Sequence, residues 1–495
     1  MQQWKKLPYT VSIVSYGWGC GGHPAPPNEI LACYFNLLKF PDNGNEIRVN
    51  IDCQDCRNAW LLKPKVYYPA GGYGWTDYNA QASVYHAYQL VHSRGIPDEN
   101  IIVFHADNIA NNPKNPTPGV VINEPNGTDV YHGVPKDYTG HEDSAQNLLR
   151  VLRGDPKLAE QGKKVLNSGP NDHIFVYFSD HGGEELLCFP WDNLYAEDLN
   201  TALIDMHKNN KFSKLVFYVM ACESGSMFEK LLPSDINVYA VTSSTAQEFS
   251  FAKYNIESLD IWLSTHGDYF TDQWMYNSEH RDLQRETLLD QFHYIDTYAM
   301  NITQYIGNKT YHYQQHAQQF GDISIAELPV SQFLGPDNVY ENLLDEINYE
   351  YQNNVATDGV HIRDRELYLA QKRIDSARDV NEKLRYAHEL QRLLDERHMI
   401  DKQLYEYVNS IQHLMPNIAT NSILHTKQEL NNRHCYRQLV DTFHQNCYIL
   451  SQNPYVLSKL HIFVNICEQM RDSSDADIAV NRLIKHCDSA VDPNL

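Results

Sequence analysis

The chain has 495 residues, of which 42% are hydrophobic and 21% charged, so it is longer than one ordinary domain and can bury a large core. Its formal charge of −23 argues against a nucleic-acid partner, because no clustered basic surface would offset the repulsion from phosphate. The sequence contains no apolar run of about 18 residues, so we expect no membrane span, and the first residues lack the apolar core of a signal peptide.

The first 60 residues hold several potential zinc ligands, namely Cys20, His23, Cys33 and the pair Cys53-x-x-Cys56. Their order and spacing match no structural zinc pattern well. We therefore interpret residues 1–60 as an N-terminal extension of unknown role, and we expect neither a metal nor another cofactor in the chain.

Residues 61–325 alternate strand-like and helix-like segments. The segment from Ala80 to Arg94 has a helical pattern that Gly95 and Pro97 terminate, and residues 100–105 have the composition of a strand. Alternation of this kind predicts an α/β domain with a mostly parallel sheet flanked by helices.

Two reactive residues follow predicted buried strands. The apolar run 173–178 leads into Ser179-Asp180-His181-Gly182-Gly183, and the run 214–220 leads into Ala221-Cys222. In open α/β sheets, ligands bind beyond the carboxyl ends of such strands. If the two strands are neighbours, His181 and Cys222 converge on one crevice, as a cysteine hydrolase requires.

The expected chemistry follows from these residue types. Cysteine attacks as the thiolate, and His181 would serve as general base and later as general acid. We expect Cys222 to lie at a strand-to-helix turn whose dipole favours the thiolate, and the backbone amides of Gly182 and Cys222 to form an oxyanion hole. The competing interpretation is that Cys222 is only a small buried hydrophobic residue.

The C-terminal third has a different pattern. Residues 360–415 contain neither glycine nor proline and place apolar residues at helical spacing, which predicts a long helix or a helix pair with a packed apolar face. We assign 326–380 to a linker and 381–495 to a helical domain. The last cysteines, Cys435, Cys447, Cys467 and Cys487, indicate two disulfides of open connectivity, or else four buried thiols.

Three N-x-S/T sequons begin at Asn126, Asn301 and Asn308. Such sequons are glycosylation acceptors only in proteins of the secretory route. Together with the predicted disulfides, they favour an oxidising compartment for this chain.

Several long stretches resemble legumain, a family of caspase-like cysteine peptidases. They are HAYQLVHSRGIPDENI, NPTPGVVINEPNGTDVYHGVPKDYTG, YFSDHG, ACESGSM and, further on, RLLDERHMIDK. The resemblance implies a caspase-like catalytic domain and a death-domain-like prodomain that covers the active site, with Cys435 paired to Cys467 and Cys447 to Cys487. It also implies an acid-activated zymogen of lysosomes or vacuoles, or a secreted one, with protein and peptide substrates and cystatin-type inhibitors as partners.

The chain departs from the family at the predicted site. Asp77 stands where the family has an asparagine near the catalytic histidine, and a carboxylate can still orient an imidazole. In the pocket for the P1 side chain, the family's arginine, histidine, glutamate, serine and aspartate match Asn79, Ala80, Met220, Ser250 and Asp268. We therefore expect a preference other than asparagine at P1, with Asp268 disfavouring acidic side chains.

The leading hypothesis is a cysteine endopeptidase with a remodelled pocket, which could also join peptides if an amine replaces water. The alternative is a catalytically impaired relative that acts as a binding or decoy protein. A glycolipid-anchor transamidase subunit, which shares the peptidase core, would be expected to carry a C-terminal membrane span, and the sequence predicts none.

Overall fold

In the computed structural model, the described residues are 33–37, 49–53, 64–69, 72–123, 127–252, 268–297, 300–306, 309–335 and 360–490. The chain divides into two compact units, Met1–Lys63 and Pro64–Leu495. In the first unit, strands β1 (Cys33–Leu37) and β2 (Val49–Cys53) pair antiparallel, with Cys33 opposite Cys53. Cys20, His23 and Cys56 lie outside the described residues.

The second unit is built on a seven-stranded sheet of order β15-β11-β10-β6-β3-β4-β5. All neighbours are parallel except the β11–β15 pair at one edge. The strands are β3 (Lys65–Pro69), β4 (Ile101–His105), β5 (Tyr138–Thr139), β6 (His173–Ser179), β10 (Lys214–Met220), β11 (Val238–Thr242) and β15 (Gln318–Gly321). This order confirms the predicted α/β class.

Alternate residues of the central strands feed two separate apolar cores. In β6, Phe175 and Tyr177 belong to one buried cluster, whereas Ile174, Val176 and Phe178 belong to the other. Because successive side chains of a strand point to opposite faces, an apolar run without alternation is what a sheet covered on both faces requires.

Helices cover both faces. They are α1 (Tyr78–Ser93), α2 (Ala145–Leu152), α3 (Pro156–Glu160), α4 (Ala196–Lys208), α5 (Tyr269–His280), α6 (Leu288–Thr297) and α7 (Ser331–Leu334). The predicted helix over 80–94 corresponds to α1, and the predicted strand over 100–105 corresponds to β4. Small antiparallel elements complete the unit: β7 (Gly182–Gly183), β8 (Leu186–Cys188) and β9 (Asn193–Tyr195) form one sheet, β12 (Phe251–Ala252) pairs with β16 (Val360–His361), and β13 (Met300–Ile306) pairs with β14 (Lys309–Gln315).

The C-terminal region is helical, as predicted. It contains α8 (Arg365–Ser376), α9 (Val380–Ser410), α10 (Thr420–His425), α11 (Arg433–Asn446), α12 (Pro454–Leu457), α13 (His461–Gln469) and α14 (Ser473–Ala490). Disulfides link Cys435 to Cys467 and Cys447 to Cys487, which is the connectivity that the resemblance implies.

The helix pair predicted over 360–415 is present as α8 and α9, but the predicted packing of its apolar face is wrong for the first half of α9. Leu384 is 54% exposed and Leu394 41% exposed, whereas Leu404 and Val408 are buried. Only the C-terminal half of α9 faces the disulfide-linked helices, so the apolar spacing of the first half has no core to contact.

The predicted glycosylation sites cannot be placed on this fold. Asn126 and Asn308 lie outside the described residues, and the side chain of Asn301 is also outside them. Within the described part of the chain, no helix is long and apolar enough to cross a membrane.

Candidate active site

The two predicted reactive residues follow neighbouring strands. Strands β6 and β10 pair in parallel with Ser179 opposite Met220, so the loops that follow leave the same edge of the sheet. A Cβ atom on Gly182 would lie 2.7 Å from the carbonyl oxygen of Cys222 and 2.9 Å from the Cβ of Ala221. Only glycine fits at this position, and the residue after His181 therefore lies directly against the backbone of the cysteine loop.

A carboxylate orients the imidazole, as the sequence predicted. His181 Nε2 lies 3.1 Å from Asp77 Oδ1. Burial alone would lower the pKa of His181, but the hydrogen bond and negative charge of Asp77 outweigh it and raise this pKa. His181 Nδ1 is buried and has no hydrogen-bond partner in the described part of the chain. This nitrogen is therefore the one available to exchange a proton with a thiol.

Cys222 is only 1% exposed, and its Sγ accepts a 3.4 Å hydrogen bond from the Ser250 N–H. Burial raises the pKa of the Cys222 thiol, against the opposing charges of Arg363 and Lys427. The expected α-helix after Cys222 is absent. A 3-10 helix of four residues, Ser224–Met227, follows instead, and so short a helix has almost no dipole to stabilise a thiolate.

The chain covers this site with its own linker. Strand β16 pairs antiparallel with β12, placing His361 opposite Phe251. The pairing continues for one more residue, because the Ile362 N–H donates to the Ser250 carbonyl at 3.3 Å. Ser250 thus contacts the Cys222 thiol through its N–H and the linker through its carbonyl. Strand addition of this type is how many proteins bind extended peptides.

Arg363 anchors the linker beside the thiol. Its Nη2 donates to the Gly182 carbonyl at 2.6 Å and to Glu223 Oε2 at 2.9 Å, and its side chain is almost fully buried. Lys427, from the loop before α11, holds the other oxygen of Glu223 at 2.9 Å. Burial alone would raise the pKa of Glu223, but the two cations outweigh it and lower this pKa.

Two further arginines fix the start of α8. Arg365 Nη1 donates to the Thr76 carbonyl at 2.6 Å and to Asn79 Oδ1 at 2.7 Å. Arg397, on α9, donates to the Arg363 carbonyl at 2.7 Å and to Asp364 Oδ1. The linker is therefore held between α9 and the loops that follow β6 and β10.

The disulfide-linked helices close the crevice from the other side. Arg433 makes two 2.6 Å contacts with the carboxylate of Glu185, and the Tyr436 hydroxyl donates to the Glu184 carbonyl at 2.8 Å. A Cβ on Gly183 would lie 3.1 Å from Leu460 Cδ1, so α12 and α13 meet directly over the strand that follows His181. The site is closed in this state.

The predicted pocket residues do not all lie in one cluster of contacts. Asn79 is bonded to Arg365, whereas Ser250 lies at the thiol. Met220 is buried in the same apolar cluster as Cys222. Asp268 is fully buried at the N-terminus of α5, where its Oδ1 accepts from the Thr271 N–H at 2.7 Å.

Sequence reasoning did not identify the residues that close the site. Arg363 and Lys427 show no motif, since isolated basic residues in a helical region are most often solvated. Cys188 was also missed. It is buried and carries a free thiol, and its backbone N–H donates to the His181 carbonyl at 3.0 Å. Arg363 and Lys427 are marked as part of the site only by their bonds to Gly182 and Glu223, which are distant in sequence.

Comparison with known proteins assigns the family. The Peptidase C13 family matches residues 67–336, and the legumain prodomain matches residues 388–483. The chain belongs to the Peptidase C13 family. It is similar to legumain from Mus musculus, with 37% identity over 90% of this chain and 97% of that one, and to legumain from Homo sapiens, with 37% identity over 81% and 88%. It also resembles the vacuolar-processing enzyme of Vicia sativa, at 37% identity over 80% and 81%.

Legumains of the C13 family are cysteine endopeptidases that act on proteins, and the chain combines the family's peptidase domain with its prodomain. Among solved structures, caspase-1 from Spodoptera frugiperda matches with a TM-score of 0.34 and 9% identity, over 53% of this chain and 87% of that one.

Proposed function

We propose that the protein is a legumain-like cysteine endopeptidase made as an inactive zymogen, with Cys222 as nucleophile and His181 as general base. The observation that carries the proposal is the arrangement around Cys222. His181, in contact with Asp77, follows β6, and Cys222 follows the neighbouring strand β10. The chain's own linker pairs with the edge strand beside this thiol. A site without activity would need no such cover. The divisions 61–325, 326–380 and 381–495 then correspond to catalytic domain, activation linker and prodomain.

In the proposed reaction, His181 Nδ1 removes the proton from the Cys222 thiol, and the sulfur attacks the carbonyl carbon of the scissile bond. Backbone N–H groups of Gly182 and Cys222 stabilise the oxyanion. The C–N bond then breaks as the imidazolium donates its proton to the leaving amine. Water hydrolyses the thioester, and an amine in place of water would form a new peptide bond.

Acid activation follows from Glu223. A carboxylate with a lowered pKa stabilises the closed form at any pH above its ordinary value of 4.5, and this contribution is lost as the pH falls through the lowered pKa. Protonation of Glu223 removes the counter-charge of Arg363 and Lys427 together. The linker and the prodomain loop then lose their common anchor.

Glu184 opposes this effect. Burial, with a contribution from the charge of Glu223, raises the pKa of Glu184 to about 7. A carboxylate with a raised pKa stabilises the closed form as the pH falls from about 7 towards 4.5. We therefore expect opening only below pH 4.5, where Glu184 is already neutral and Glu223 begins to protonate.

The family's compartments fit such a requirement. One relative is named a vacuolar-processing enzyme, and we propose a lysosomal, vacuolar or secreted location for this chain. Cystatin-type inhibitors are the proposed protein partners besides substrates. The pocket changes at Asn79, Ala80 and Met220 support a P1 preference other than asparagine.

The test is a mixed peptide library incubated with the purified full chain at about pH 4, in reductant, with Cys222→Ala as the matched control. We expect cleavage by the wild type alone, detected by mass spectrometry, and covalent labelling of Cys222 by a thiol-directed activity probe. Cleavage that persists in Cys222→Ala would refute the assigned nucleophile.

A second candidate function is a binding or decoy protein, which the loss of three charged or polar pocket positions favours. It predicts an unlabelled Cys222 and no cleavage at any pH, with inhibitor binding retained. Co-purification with a cystatin, measured with the same Cys222→Ala variant, separates this outcome from simple misfolding.

A further inference from the structure

The linker residue beside the catalytic thiol is an isoleucine, and its backbone is bound as a substrate backbone would be. Ile362 donates its N–H to the Ser250 carbonyl, and the Ser250 N–H contacts Cys222 Sγ at 3.4 Å. One residue of the edge strand therefore separates Ile362 from the thiol. The preceding residues, Val360 and His361, pair antiparallel with β12. A bound peptide that adds to the same edge would place one residue at the position of Ile362.

The side chain of Ile362 is buried and packs with an apolar cluster. It is 7% exposed and belongs to the same buried apolar cluster as Met220 and Cys222. Met220 is the last residue of β10, two positions before the thiol, and its side chain lies in that cluster together with Tyr218. Neither Met220 nor Ile362 carries a hydrogen-bonding side-chain atom, so these two residues offer no partner to a polar P1 side chain.

Asp268, the acidic residue that the family resemblance assigns to the pocket, does not supply a counter-charge at acid pH. Asp268 caps α5 through Oδ1, and its Oδ2 is buried without a hydrogen-bond partner among the described residues. Burial raises the pKa of Asp268 to about 7, so the carboxyl is neutral in the acid range in which the zymogen opens. A basic P1 side chain would gain no ion pair from it.

We propose that the peptidase selects an uncharged aliphatic side chain at P1, at the position that Ile362 occupies in the closed state. This inference rests on the proposed peptidase function and names its substrate class: peptides with leucine, methionine or isoleucine before the scissile bond. The linker is not cut there because the chain turns at once into the 3-10 helix Ile362–Asp364, where His361 Nδ1 accepts from the Arg363 N–H at 3.0 Å. An extended substrate continues straight past the thiol instead.

Arg365 is the alternative candidate for the linker residue that occupies the P1 site, because its guanidinium donates to Asn79 Oδ1. If this contact indicated the P1 site, a basic side chain would be preferred. Arg365 begins α8 and lies beyond the strand pairing. Its backbone has no substrate-like contact with Ser250, so the geometry favours Ile362.

The test uses the full chain with Arg363→Ala, which removes the linker's anchor without truncation. Fluorogenic tetrapeptides that differ only at P1, with Leu, Met, Ile, Asn, Asp or Lys, are compared at about pH 5. We expect kcat/KM for Leu and Met to exceed that for Asn by about 100-fold, because an apolar pocket leaves the amide without partners. The same series with Cys222→Ala added must give no cleavage.

A matched pair of variants tests the pocket itself. Met220→Glu should lower the ratio of Leu to Asn cleavage by about tenfold or more, because a buried carboxylate disfavours an aliphatic side chain. Met220→Leu should keep the ratio high. Thermal unfolding and probe labelling of Cys222 show that each variant is folded with a reactive thiol.

The outcomes separate the two proposals. Cys222-dependent cleavage that is fastest after Asn, Asp or Lys overturns the aliphatic preference and leaves the peptidase intact. A Leu-to-Asn ratio that Met220→Glu does not change also overturns it. Absence of both cleavage and Cys222 labelling, in a folded protein, overturns the peptidase function and the inference with it.

Discussion

Two Arg–Glu ion pairs, in two regions of the molecule, have the same length but differ in how deeply they are buried. Where the linker passes the thiol, Arg363 and Glu223 form a pair whose side chains are 1% and 6% exposed. A few turns further on, Arg373 and Glu389 join α8 to α9 at the same distance of 2.9 Å, but are 42% and 37% exposed. Distance is therefore not what distinguishes them. The buried pair has lost its water and depends on its partners, whereas the exposed pair can exchange its partner for water.

Because of this difference, we expect a few buried ion pairs to contribute most of the free energy that keeps the site closed. Removing one partner of a buried pair typically costs about 3–5 kcal/mol, because the other charge remains desolvated. Removing an exposed partner typically costs under about 1 kcal/mol. Surface pairs within α9, such as Arg392–Glu396 and Arg385–Glu382, stabilise that helix only weakly.

The largest expected effect is that of Arg363→Ala. Loss of its bonds to Gly182 and Glu223 should shift the closed form towards the open one by about 3 kcal/mol, near the lower end of the range because Lys427 still pairs with Glu223. This corresponds to an increase of about 100-fold in the rate of Cys222 labelling at neutral pH. The same labelling rate in Arg363→Ala and wild type would show that the buried pair does not hold the linker.

The bidentate contact of Arg433 with Glu185 should come next. Arg433→Ala should weaken prodomain binding by about 1.5–3 kcal/mol, because a hydrogen-bonded charge is lost from a half-buried site. The measurement is the urea midpoint for exposure of Cys222, compared with the global unfolding midpoint. Arg437→Ala, which breaks the more exposed pair with Asp198, is the matched control and should have the smaller effect.

The pH dependence of opening tests which buried carboxylate, Glu223 or Glu184, controls the closed form. With Glu223→Gln, Arg363 has no counter-charge at any pH, so we expect an open fraction that is higher at neutral pH, falls as Glu184 protonates below about pH 7, and does not rise again below pH 4.5. With Glu184→Gln, the closed form should be more stable near neutral pH, because the wild-type carboxylate ionises at about 7. Cys222 labelling between pH 3 and 7.5 measures both, and a steep acid transition in Glu223→Gln would rule out Glu223 as the titrating group.

The smallest effect is expected for Arg373→Ala, the exposed counterpart of Arg363→Ala. Its loss should change the stability of the closed form by less than about 0.5 kcal/mol, since water replaces the contact. Labelling rates and urea midpoints should equal those of the wild type within error. A large effect would mean that the helix pair, rather than the buried anchor, controls access to the site.

Much of the catalytic architecture could be predicted from local sequence. Continuous apolar runs before His181 and Cys222 predicted buried parallel strands, and small residues after them predicted loops at one sheet edge. The prediction of an α-helix after Cys222 was wrong, because a few polar and small residues do not distinguish a 3-10 turn from the start of an α-helix. The packing of Leu384 and Leu394 was also predicted wrongly, because apolar spacing shows which residues share a face but not whether anything covers it.

Residue pattern alone was enough to predict the main strands and helices and the placement of His181 and Cys222 after neighbouring strands, and the family resemblance supplied the disulfide pairing. These features depend on residue type and near-neighbour spacing. Only the tertiary structure decided which residues close the site: Arg363 pairs with Glu223 and Lys427 pairs with the same carboxylate, across 140 and 204 residues of chain. The strength of such pairs depends on burial, and burial is a property of the folded chain rather than of any local segment.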